Sequence, residues 1–315
     1  MSDSRIPLYL ITGFLDSGKT TLLTDTLAMD YFNDGQRTVL LRCEDGEEEY
    51  DQAELSKRNC RVVPVEDQSQ ICTAFLEEVD RRYQPERVLL EYNGMWPIQL
   101  LRDLKLPRTW GLYQAIDVID GTTFEMYRTN MQSMIVDMVT EADMVLFNRC
   151  TPELAEALRR RNLRMVNRRA EIYLENEDGD SEDYLTGDEC PFDLSQAEVD
   201  VPDEDFGVWY VDVMDHPDRW AGKLVHMKLL MCHSKKYPGI HCPGRFAMVC
   251  CENDIQFLGL IAKGVGLNQY ENRDWIEVTA RMAVEKHKAY QGRGPVMHVL
   301  SVGPCEKPAQ DVVTF

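Results

Sequence analysis

One glycine-rich stretch near the start of the chain has residue types and spacing that can bind phosphate. Residues 13–20, with the sequence GFLDSGKT, contain two glycines separated by four residues and followed by a lysine and a threonine. Such glycines let backbone N–H groups surround phosphate oxygens, and the start of the next helix adds partial positive charge. We expect the Lys19 ammonium to contact the β- and γ-phosphates of a nucleoside triphosphate and the Thr20 hydroxyl to hold Mg²⁺.

Further polar residues lie at the ends of predicted strands. We predict that the nucleotide is bound by the loop and by two strand ends, through Gly13, Asp16, Ser17, Gly18, Lys19, Thr20, Thr21, Gly94 and Asn148. Glu91 ends a strand that faces the phosphates, where a carboxylate orients a Mg²⁺-bound water or the attacking water. Glu44 follows another strand, where a nucleotide-sensing switch is expected. We therefore predict Lys19, Glu44 and Glu91 as the catalytic residues.

A second group of chemically active residues lies in the last third of the chain. All six histidines and five of the ten cysteines follow residue 215. The candidate metal ligands of the densest segment are Cys232, His233, His241, Cys242, Cys250 and Cys251. Thiolates and imidazoles suit zinc. The spacing Cys-x-x-Cys is absent, so buried structural or reactive cysteines are the other interpretation.

Alternating strand and helix patterns must position the loop. The predicted strands cover residues 7–12, 38–42, 87–92, 112–119 and 144–148. The predicted helices cover residues 19–31, 68–83, 97–104, 123–140 and 152–161. This alternation predicts an α/β fold with a mostly parallel sheet and helices on both faces. Together with the glycine-rich loop it predicts a P-loop NTPase.

The acidic residues of the chain are unevenly distributed, and this indicates a domain boundary. Residues 171–205 include 15 acidic residues and no lysine or arginine, which predicts a solvated linker. We therefore predict a P-loop NTPase domain over residues 1–170, an acidic linker over 171–205 and a second domain over 206–315. The second domain has strand-like runs such as FGVWYVDV, LVHMKLLMC and DWIEVTARM, which predict a smaller, mostly-β, barrel-like fold.

Composition excludes several classes of function. The net charge of −20 would repel the phosphates of a nucleic acid. No apolar run reaches the ~18–20 residues that a membrane span needs, and the first residues lack the pattern of a secretory signal. The cysteines are spread along an intracellular type of domain, so free thiols and a cytoplasmic location are expected.

The loop and the strand ends together resemble those of CobW-like GTPases, the metal-homeostasis branch of the P-loop NTPases. The run GFLDSGKTT is similar to the family's Gly-Phe-Leu-Gly-x-Gly-Lys-Thr-Thr. The run CEDGEEEYD keeps four residues of the family's switch, namely Glu44, Gly46, Glu47 and Asp51. The run EYNG at residues 91–94 keeps the family's Glu and Gly. The resemblance covers the first half of the chain and implies slow, switch-like hydrolysis coupled to delivery of a transition metal, often zinc or cobalt.

Two departures from the family pattern affect what the resemblance implies. The family's Cys-x-Cys-Cys metal motif is reduced to Cys60, because Val62 and Val63 stand at the other two positions. Valine cannot bind a metal, and Cys60 alone is most simply a buried small residue. The guanine-binding motif Asn-Lys-x-Asp is replaced by Asn-Arg-Cys-Thr at residues 148–151. Because the charged acceptor for guanine is lost, either GTP or ATP remains a candidate nucleotide.

The second domain resembles a different family. The runs GRFAMVCCENDIQFLGLIAKG and DWIEVTARM are similar to the C-terminal β domain of an uncharacterised group of bacterial proteins encoded beside permease-like partners and CobW-like GTPases. The resemblance implies a module associated with metal or small-solute handling, and it names no reaction. A client metalloprotein or a metal permease is therefore a candidate partner, and such switches often form nucleotide-dependent homodimers.

Two classes of function follow from these features. The first is a Mg²⁺-dependent GTPase or ATPase that delivers or allocates zinc or cobalt. The second is a nucleotide-gated interaction module with negligible hydrolysis and no metal cargo, in which nucleotide orders the acidic switch near Glu47. A small-molecule kinase is a weaker third interpretation, because no arginine-rich lid is evident. A bound nucleotide that never turns over would distinguish the module from both enzymes.

Overall fold

The computed structural model describes residues 5–32, 34–44, 46, 50–159, 163–167, 169–184, 190, 192–234, 237, 239–248 and 255–314. The chain divides into two compact units. The first unit is Met1–Arg159 with Asn167–Thr186, and the second is Arg160–Val166 with Gly187–Phe315. In the ranges just given, no helix is both long enough and apolar enough to cross a membrane.

The first unit is built on a mostly parallel sheet, which confirms the predicted fold class. Its strands are β1 (Ile6–Thr12), β2 (Thr38–Arg42), β3 (Cys60–Pro64), β4 (Arg87–Glu91), β5 (Trp110–Asp120), β6 (Met144–Asn148), β7 (Glu171–Glu175) and β8 (Ser181–Asp183). Their order across the sheet is β3-β2-β4-β1-β5-β6-β7-β8, and only the β7–β8 pair is antiparallel among the described strand pairs. The central strands are almost uniformly apolar, as expected for strands covered on both faces.

Helices connect these strands. They are α1 (Lys19–Ala28), α2 (Gln52–Lys57), α3 (Thr73–Tyr83), α4 (Gln99–Asp103), α5 (Phe124–Asn130), α6 (Gln132–Glu141) and α7 (Pro152–Arg159), with a short 3-10 helix at Gln68–Gln70. The apolar spacing that predicted α1 places Leu23 and Leu27 in a core with Leu40 and Val118 of the sheet. The single helix predicted over residues 123–140 is interrupted at Met131 and forms α5 and α6.

The strand register brings the polar strand ends to one edge of the sheet. Thr12, the last residue of β1, lies opposite Asp117 of β5. Asp120, the last residue of β5, lies opposite Asn148, the last residue of β6. Glu91 ends β4, and β4 pairs with β1 on the side of β1 that faces away from β5. Because parallel strands end at the same edge, these residues surround the loop that follows β1.

The segment 171–205, predicted as a linker, instead contributes strands to both units. Strands β7 and β8 extend the first sheet, and β9 (Glu198–Asp200) pairs with a strand of the second unit. The acidic side chains alternate with buried apolar ones, including Ile172, Leu174 and Val199. Successive side chains of a strand point to opposite faces, so a strand with one buried face can carry a charge at every second residue. A high density of acidic residues is therefore compatible with strands.

The second unit contains a mostly antiparallel sheet, so its predicted mostly-β character is confirmed. Its strands are β9, β10 (Leu224–Leu230), β11 (Gly244–Met248), β12 (Gln256–Gly259), β13 (Ile261–Gly264), β14 (Trp275–His287), β15 (Gly292–Pro304) and β16 (Val312–Thr314). The main path is β12-β11-β10-β14-β15-β13, with β9 on β10 and β16 on β11. His241, just before β11, forms a bridge to Ala262 of β13, which brings the ends of the path together. The predicted barrel-like architecture is confirmed.

The run FGVWYVDV, predicted as a strand, is helical. The second unit contains α8 (Leu163–Val166), α9 (Phe206–Asp215) and α10 (Pro217–Trp220), and α9 covers this run. Phe206, Trp209 and Val213 of α9 are buried at helical spacing in the core beneath the sheet. A short apolar helix buried on several sides has no polar stripe, so periodicity could not separate it from a buried strand.

Candidate functional site

The loop after β1 has a backbone that only glycine can adopt at two positions. Gly13 has φ 134° and Gly18 has φ 98°, both left-handed conformations that favour glycine. A Cβ on Gly13 would lie 2.2 Å from the carbonyl oxygen of Val118, and one on Gly18 would lie 2.3 Å from Nδ2 of Asn148. A Cβ on Gly94 would lie 2.1 Å from the carbonyl oxygen of Gly13. The loop is therefore closely surrounded by the neighbouring strand ends.

Lys19, the first residue of α1, holds the loop together through its buried ammonium. Its Nζ donates to the carbonyl oxygens of Gly13, at 2.9 Å, and Phe14, at 2.7 Å. The same atom lies 2.7 Å from Oε2 of Glu44, and the two side chains are only 3% and 8% exposed. Two predicted catalytic residues are thus in contact, and any anion that enters the loop competes with Glu44 for Lys19.

Glu91 is held by two hydroxyl groups. Its Oε1 accepts from Oγ1 of Thr20 at 2.8 Å, and its Oε2 accepts from the hydroxyl of Tyr50 at 2.8 Å. Burial raises the pKa of Glu91, while the hydrogen bonds from Thr20 and Tyr50 and the charge of Lys19 oppose that rise. The predicted Mg²⁺ ligand Thr20 and the predicted catalytic Glu91 therefore form one hydrogen-bonded chain with Tyr50.

A buried carboxyl group lies beneath the loop. Asp117 is fully buried, and its Oδ1 accepts from Oγ1 of Thr12 at 2.9 Å. Its Oδ2 has no hydrogen-bond partner within the described part of the chain. Burial raises the pKa of Asp117 to about 7, although the hydrogen bond from Thr12 and the charge of Lys19 act in the other direction. This carboxyl group is therefore poised to change charge near neutral pH.

The end of β6 is tied to the loop by two side chains. Nδ2 of Asn148 donates to the carbonyl oxygen of Ser17 at 2.6 Å. Nη1 of Arg149 donates to the carbonyl oxygen of Asp16 at 3.0 Å and to Oδ2 of Asp120 at 2.5 Å. Asn148, predicted as a nucleotide-binding residue, thus supports the loop backbone. Asp16, which stands where the resembling family has a glycine, has an exposed side chain.

Thr151 stands where the guanine motif would have its aspartate. Its Oγ1 accepts from the backbone N–H of Leu154 at 3.3 Å, so the side chain caps the first turn of α7. Its carbonyl oxygen also accepts from the N–H of Ala155 at 2.8 Å. A neutral hydroxyl used as a helix cap offers no charge to a base N–H, so strong discrimination for guanine is not expected from this residue.

A cavity at the loop brings most predicted nucleotide-site residues together. Its lining includes Asp16, Gly18, Lys19, Thr20, Thr21, Glu44, Glu91 and Arg149. Two buried atoms at the loop, Oγ of Ser17 and Oδ1 of Asn148, lack hydrogen-bond partners among the residues described. The glycine backbone, the ammonium and the Thr20 hydroxyl fit a Mg²⁺-bound nucleoside triphosphate. The roles of the individual residues stay predictions. Glu47 of the predicted switch lies outside the described residues.

The predicted metal ligands of the second unit are brought together only in part. His233 and His241 lie side by side, with their Nδ1 atoms 3.0 Å apart. Burial raises the pKa of Cys232, and it raises that of Cys242 to about 11, so both are thiols at neutral pH. Cys250 and Cys251 lie outside the described residues. Over the described ranges, no three His, Cys, Asp or Glu side chains are grouped closely enough to hold a metal ion.

Cys60, the remnant of the family's metal motif, is part of the core. It begins β3, is 4% exposed, and packs in the apolar cluster with Leu27 and Leu40. Burial raises its pKa to about 12, so it carries no thiolate at neutral pH. The interpretation of Cys60 as a buried small residue is confirmed.

Three residues of the site were not predicted from the sequence. Tyr50 directly precedes Asp51 of the acidic switch, but nothing in its spacing indicates a contact with Glu91. Asp117 had a signal, because a carboxylate within the apolar strand run AIDVID must be buried or paired. Arg149 was noted only as a departure from a motif. Its contacts depend on the register between β5 and β6.

Comparison with known proteins gives two family matches. Residues 7–173 match the family described as CobW/HypB/UreG, nucleotide-binding domain, and residues 180–313 match the DUF1980 C-terminal domain. The chain is similar to the solved structure of the hydrogenase maturation factor HypB from Archaeoglobus fulgidus, with 13% identity, a TM-score of 0.39, and 56% of this chain and 83% of that chain covered. It is also similar to HypB from Helicobacter pylori in complex with nickel, with 12% identity, a TM-score of 0.34, and coverage of 56% and 80%. No curated protein matches the chain.

Proposed function

Because the chain belongs to the CobW/HypB/UreG nucleotide-binding-domain family, we propose that it is a Mg²⁺-dependent switch that hydrolyses a nucleoside triphosphate, with GTP favoured by resemblance, and acts in zinc or cobalt delivery. The family match agrees with the resemblance that the loop and strand ends indicated. The observation that carries the proposal is the convergence of Lys19, Thr20, Glu44 and Glu91 on one glycine loop at the carboxyl edge of a parallel sheet.

Phosphate binding is coupled to release of a side chain in this proposal. The buried Lys19 ammonium lies against the loop backbone, and it already pairs with Oε2 of Glu44 at 2.7 Å. A triphosphate brings more negative charge than one carboxylate and also accepts hydrogen bonds from the loop N–H groups. Lys19 therefore exchanges Glu44 for phosphate oxygen. Because Glu44 belongs to the segment that follows β2, its release changes the contacts of that segment when nucleotide binds.

The hydroxyl of Thr20 and the carboxylate of Glu91 would hold and orient the metal and its water. When bound, Mg²⁺ neutralises charge on the phosphate oxygens and lowers the barrier to phosphoryl transfer. Glu91 accepts hydrogen bonds from Thr20 and Tyr50, and these keep its carboxylate oriented toward the loop. Positioning and electrostatics supply most of the rate in such sites, so slow turnover is expected.

Phosphate release from GTP and from ATP tests this proposal. We expect turnover with Mg²⁺, none with excess EDTA, and a loss of at least about 100-fold in kcat/KM for Lys19→Ala. Lys57→Ala is the matched control, because Lys57 is an exposed helical lysine that pairs with Glu54. Equal turnover by wild type and Lys19→Ala would contradict the proposal.

The proposed metal cargo is zinc or cobalt. The support is the family match together with the cysteines and histidines between residues 232 and 251. Metal content of untagged protein purified without chelators, measured by plasma mass spectrometry, tests it. Near-stoichiometric zinc or cobalt supports delivery to a client metalloprotein or a metal permease. If the protein is metal-free and added zinc leaves its hydrolysis rate unchanged, metal delivery is contradicted. Mass measurement with and without nucleotide tests whether a homodimer forms.

One observation favours the gated module as a second candidate function. Both carboxylates predicted to act in hydrolysis are already engaged, Glu44 by Lys19 and Glu91 by two hydroxyl groups. If both carboxylates keep these partners when nucleotide is bound, neither is available to activate the attacking water. A stable complex that keeps its triphosphate intact over many hours, with no metal bound, would support the module.

A further inference from the structure

The segment before β11 forms a short antiparallel ladder with a mirrored sequence. His233 lies directly opposite His241 in an antiparallel bridge. The next pair outward is Cys232 and Cys242, joined by a hydrogen bond of 2.8 Å from the Cys242 N–H to the Cys232 carbonyl. Because hydrogen-bonded and non-hydrogen-bonded pairs alternate, the histidines occupy a non-hydrogen-bonded pair, where side chains approach most closely. The cysteines then point to the opposite face of the ladder.

The contacts of the two rings indicate which nitrogen carries each proton. Nε2 of His233 lies 2.9 Å from the carbonyl oxygen of Tyr270, which can only accept, so this nitrogen is protonated. In the tautomer with its proton on Nε2, the His233 ring presents a lone pair at Nδ1. Nδ1 of His241, 3.0 Å away, donates to it.

We propose that His233 and His241 bind one divalent transition-metal ion through their Nδ1 atoms, with water in the remaining positions. Bonds of about 2.0–2.1 Å separate two ligating nitrogens by about 2.9 Å at a right angle and by about 3.4 Å at a tetrahedral angle. The observed 3.0 Å falls in that interval. Because the metal needs a lone pair on Nδ1 of both rings, the Nδ1 proton of His241 moves to Nε2 of the same ring on binding.

The arrangement around His233 is typical of a metal ligand. Imidazoles that ligate through one nitrogen usually donate the other N–H to a carbonyl or a carboxylate, and Tyr270 supplies such a carbonyl. The backbone N–H of His233 also donates to Oδ1 of Asn272 at 2.6 Å, which fixes the strand beneath the ring. Two imidazoles suit the borderline ions Zn²⁺, Co²⁺, Ni²⁺ and Cu²⁺.

A site with two protein ligands exchanges its ion readily, because water occupies the other positions. His241 is buried and His233 is half-buried. The proposal goes beyond the nucleotide cycle and does not depend on it, since the ladder belongs to the second unit and needs no nucleotide. It also places the metal on imidazoles, away from the thiols of Cys232 and Cys242.

Anaerobic titration of the full-length chain with Co²⁺, without nucleotide, tests this site. Visible absorption and equilibrium dialysis follow binding, and a sulfur-to-cobalt charge-transfer band in the near ultraviolet marks any thiolate ligand. The variants are His233→Gln, His241→Gln and the double change Cys232→Ser/Cys242→Ser. His287→Gln is the matched control, because His287 lies in β14 of the same unit. Circular dichroism and thermal melting establish that each variant is folded.

We expect the wild type to bind one Co²⁺ without a charge-transfer band. His233→Gln and His241→Gln should each weaken binding at least tenfold, whereas the cysteine variant and His287→Gln should bind as the wild type does. Absence of binding by the wild type overturns the proposal. So does unchanged binding by a folded histidine variant, or a charge-transfer band that marks thiolate ligation. Nucleotide hydrolysis, measured separately on the same samples, tests the proposed function independently.

Discussion

Nζ of Lys19 lies 2.7 Å from Oε2 of Glu44, and both side chains are almost completely buried. The ammonium that should meet phosphate is thus already paired with a carboxylate from the segment after β2. A buried pair of this kind is costly to break from one side, because the remaining charge loses its partner. Nucleotide offers a replacement anion, so binding and rearrangement of Glu44 are linked.

Replacing Glu44 with Gln should tighten nucleotide binding. The change removes a competing anion from Lys19 and a negative charge from the surroundings of the phosphates. We expect affinity for a nonhydrolysable GTP analogue to rise about tenfold, and the nucleotide-free protein to lose about 1.5–3 kcal/mol of stability. Fluorescence titration and chemical denaturation measure the two effects. Glu54→Gln, which alters an exposed ion pair of α2, is the control. Unchanged or weaker binding by Glu44→Gln would count against the linkage.

Replacing Thr151 with Asp should create a preference for guanine. Thr151 caps α7 through its hydroxyl, and aspartate is an equally good cap, so the fold should be kept. A charged acceptor for the base N–H groups is worth about 1.5–3 kcal/mol, so the ratio of GTP to ATP affinity should rise about 10- to 100-fold. Thr151→Asn is the control, because asparagine has nearly the size of aspartate but no charge. A wild type that already discriminates strongly for GTP would show that another residue reads the base.

Replacing Tyr50 with Phe should change hydrolysis more than binding. The Tyr50 hydroxyl donates to Oε2 of Glu91 and thereby lowers the pKa of that carboxyl group. Its loss should raise the pKa of Glu91, so the acid limb of the kcat profile should move to higher pH. KM should change less than twofold. Tyr92→Phe, whose hydroxyl contacts the carbonyl of Pro97, is the control. A pH profile that does not move would mean that Glu91 does not act in hydrolysis.

Asp117 should make stability depend on pH. Burial raises its pKa to about 7, against about 3.9 in an unfolded chain. The unfolded state loses this proton first, so the free energy of unfolding falls as pH rises from about 4 to about 7, by on the order of a few kcal/mol. Above pH 7 this group has no further effect.

The variant Asp117→Asn should remove that pH dependence, because asparagine resembles the protonated carboxyl group. Urea unfolding at pH 5, 6, 7 and 8 should show the stability of the variant relative to wild type increasing with pH. Asp67→Asn serves as a control, since Asp67 is an exposed cap of the 3-10 helix at Gln68–Gln70. Parallel curves for wild type and Asp117→Asn would show that Asp117 titrates normally.

The first unit was predictable because its signals are local. The glycine loop, the apolar strand runs and the polar strand ends each lie within a few residues, and the parallel fold follows from their alternation. Strand β3 was missed, because the five residues Cys60–Pro64 were considered as a metal motif. Strands β7 and β9 were hidden by the acidic residues of their exposed faces.

The contacts within the site were less predictable, because strand register and loop packing set them. Lys19, Thr20 and Glu91 could be identified individually. The contact of Glu91 with Tyr50 joins residues 41 positions apart, and the contact of Thr12 with Asp117 joins residues 105 positions apart. Helix α9 was predicted as a strand because its residues are apolar on most sides. Only the three-dimensional core decides between those two alternatives.

The most direct test of the central claim is a single-turnover experiment with GTP. Labelled GTP and Mg²⁺ are mixed with excess protein, and bound GTP and GDP are measured over time for wild type and for Thr20→Ala. We predict that wild type binds GTP and converts it to GDP in one exponential phase, and that Thr20→Ala converts it at least about tenfold more slowly. Wild-type protein that binds GTP and leaves it intact would contradict hydrolysis and leave the gated module as the function of this site.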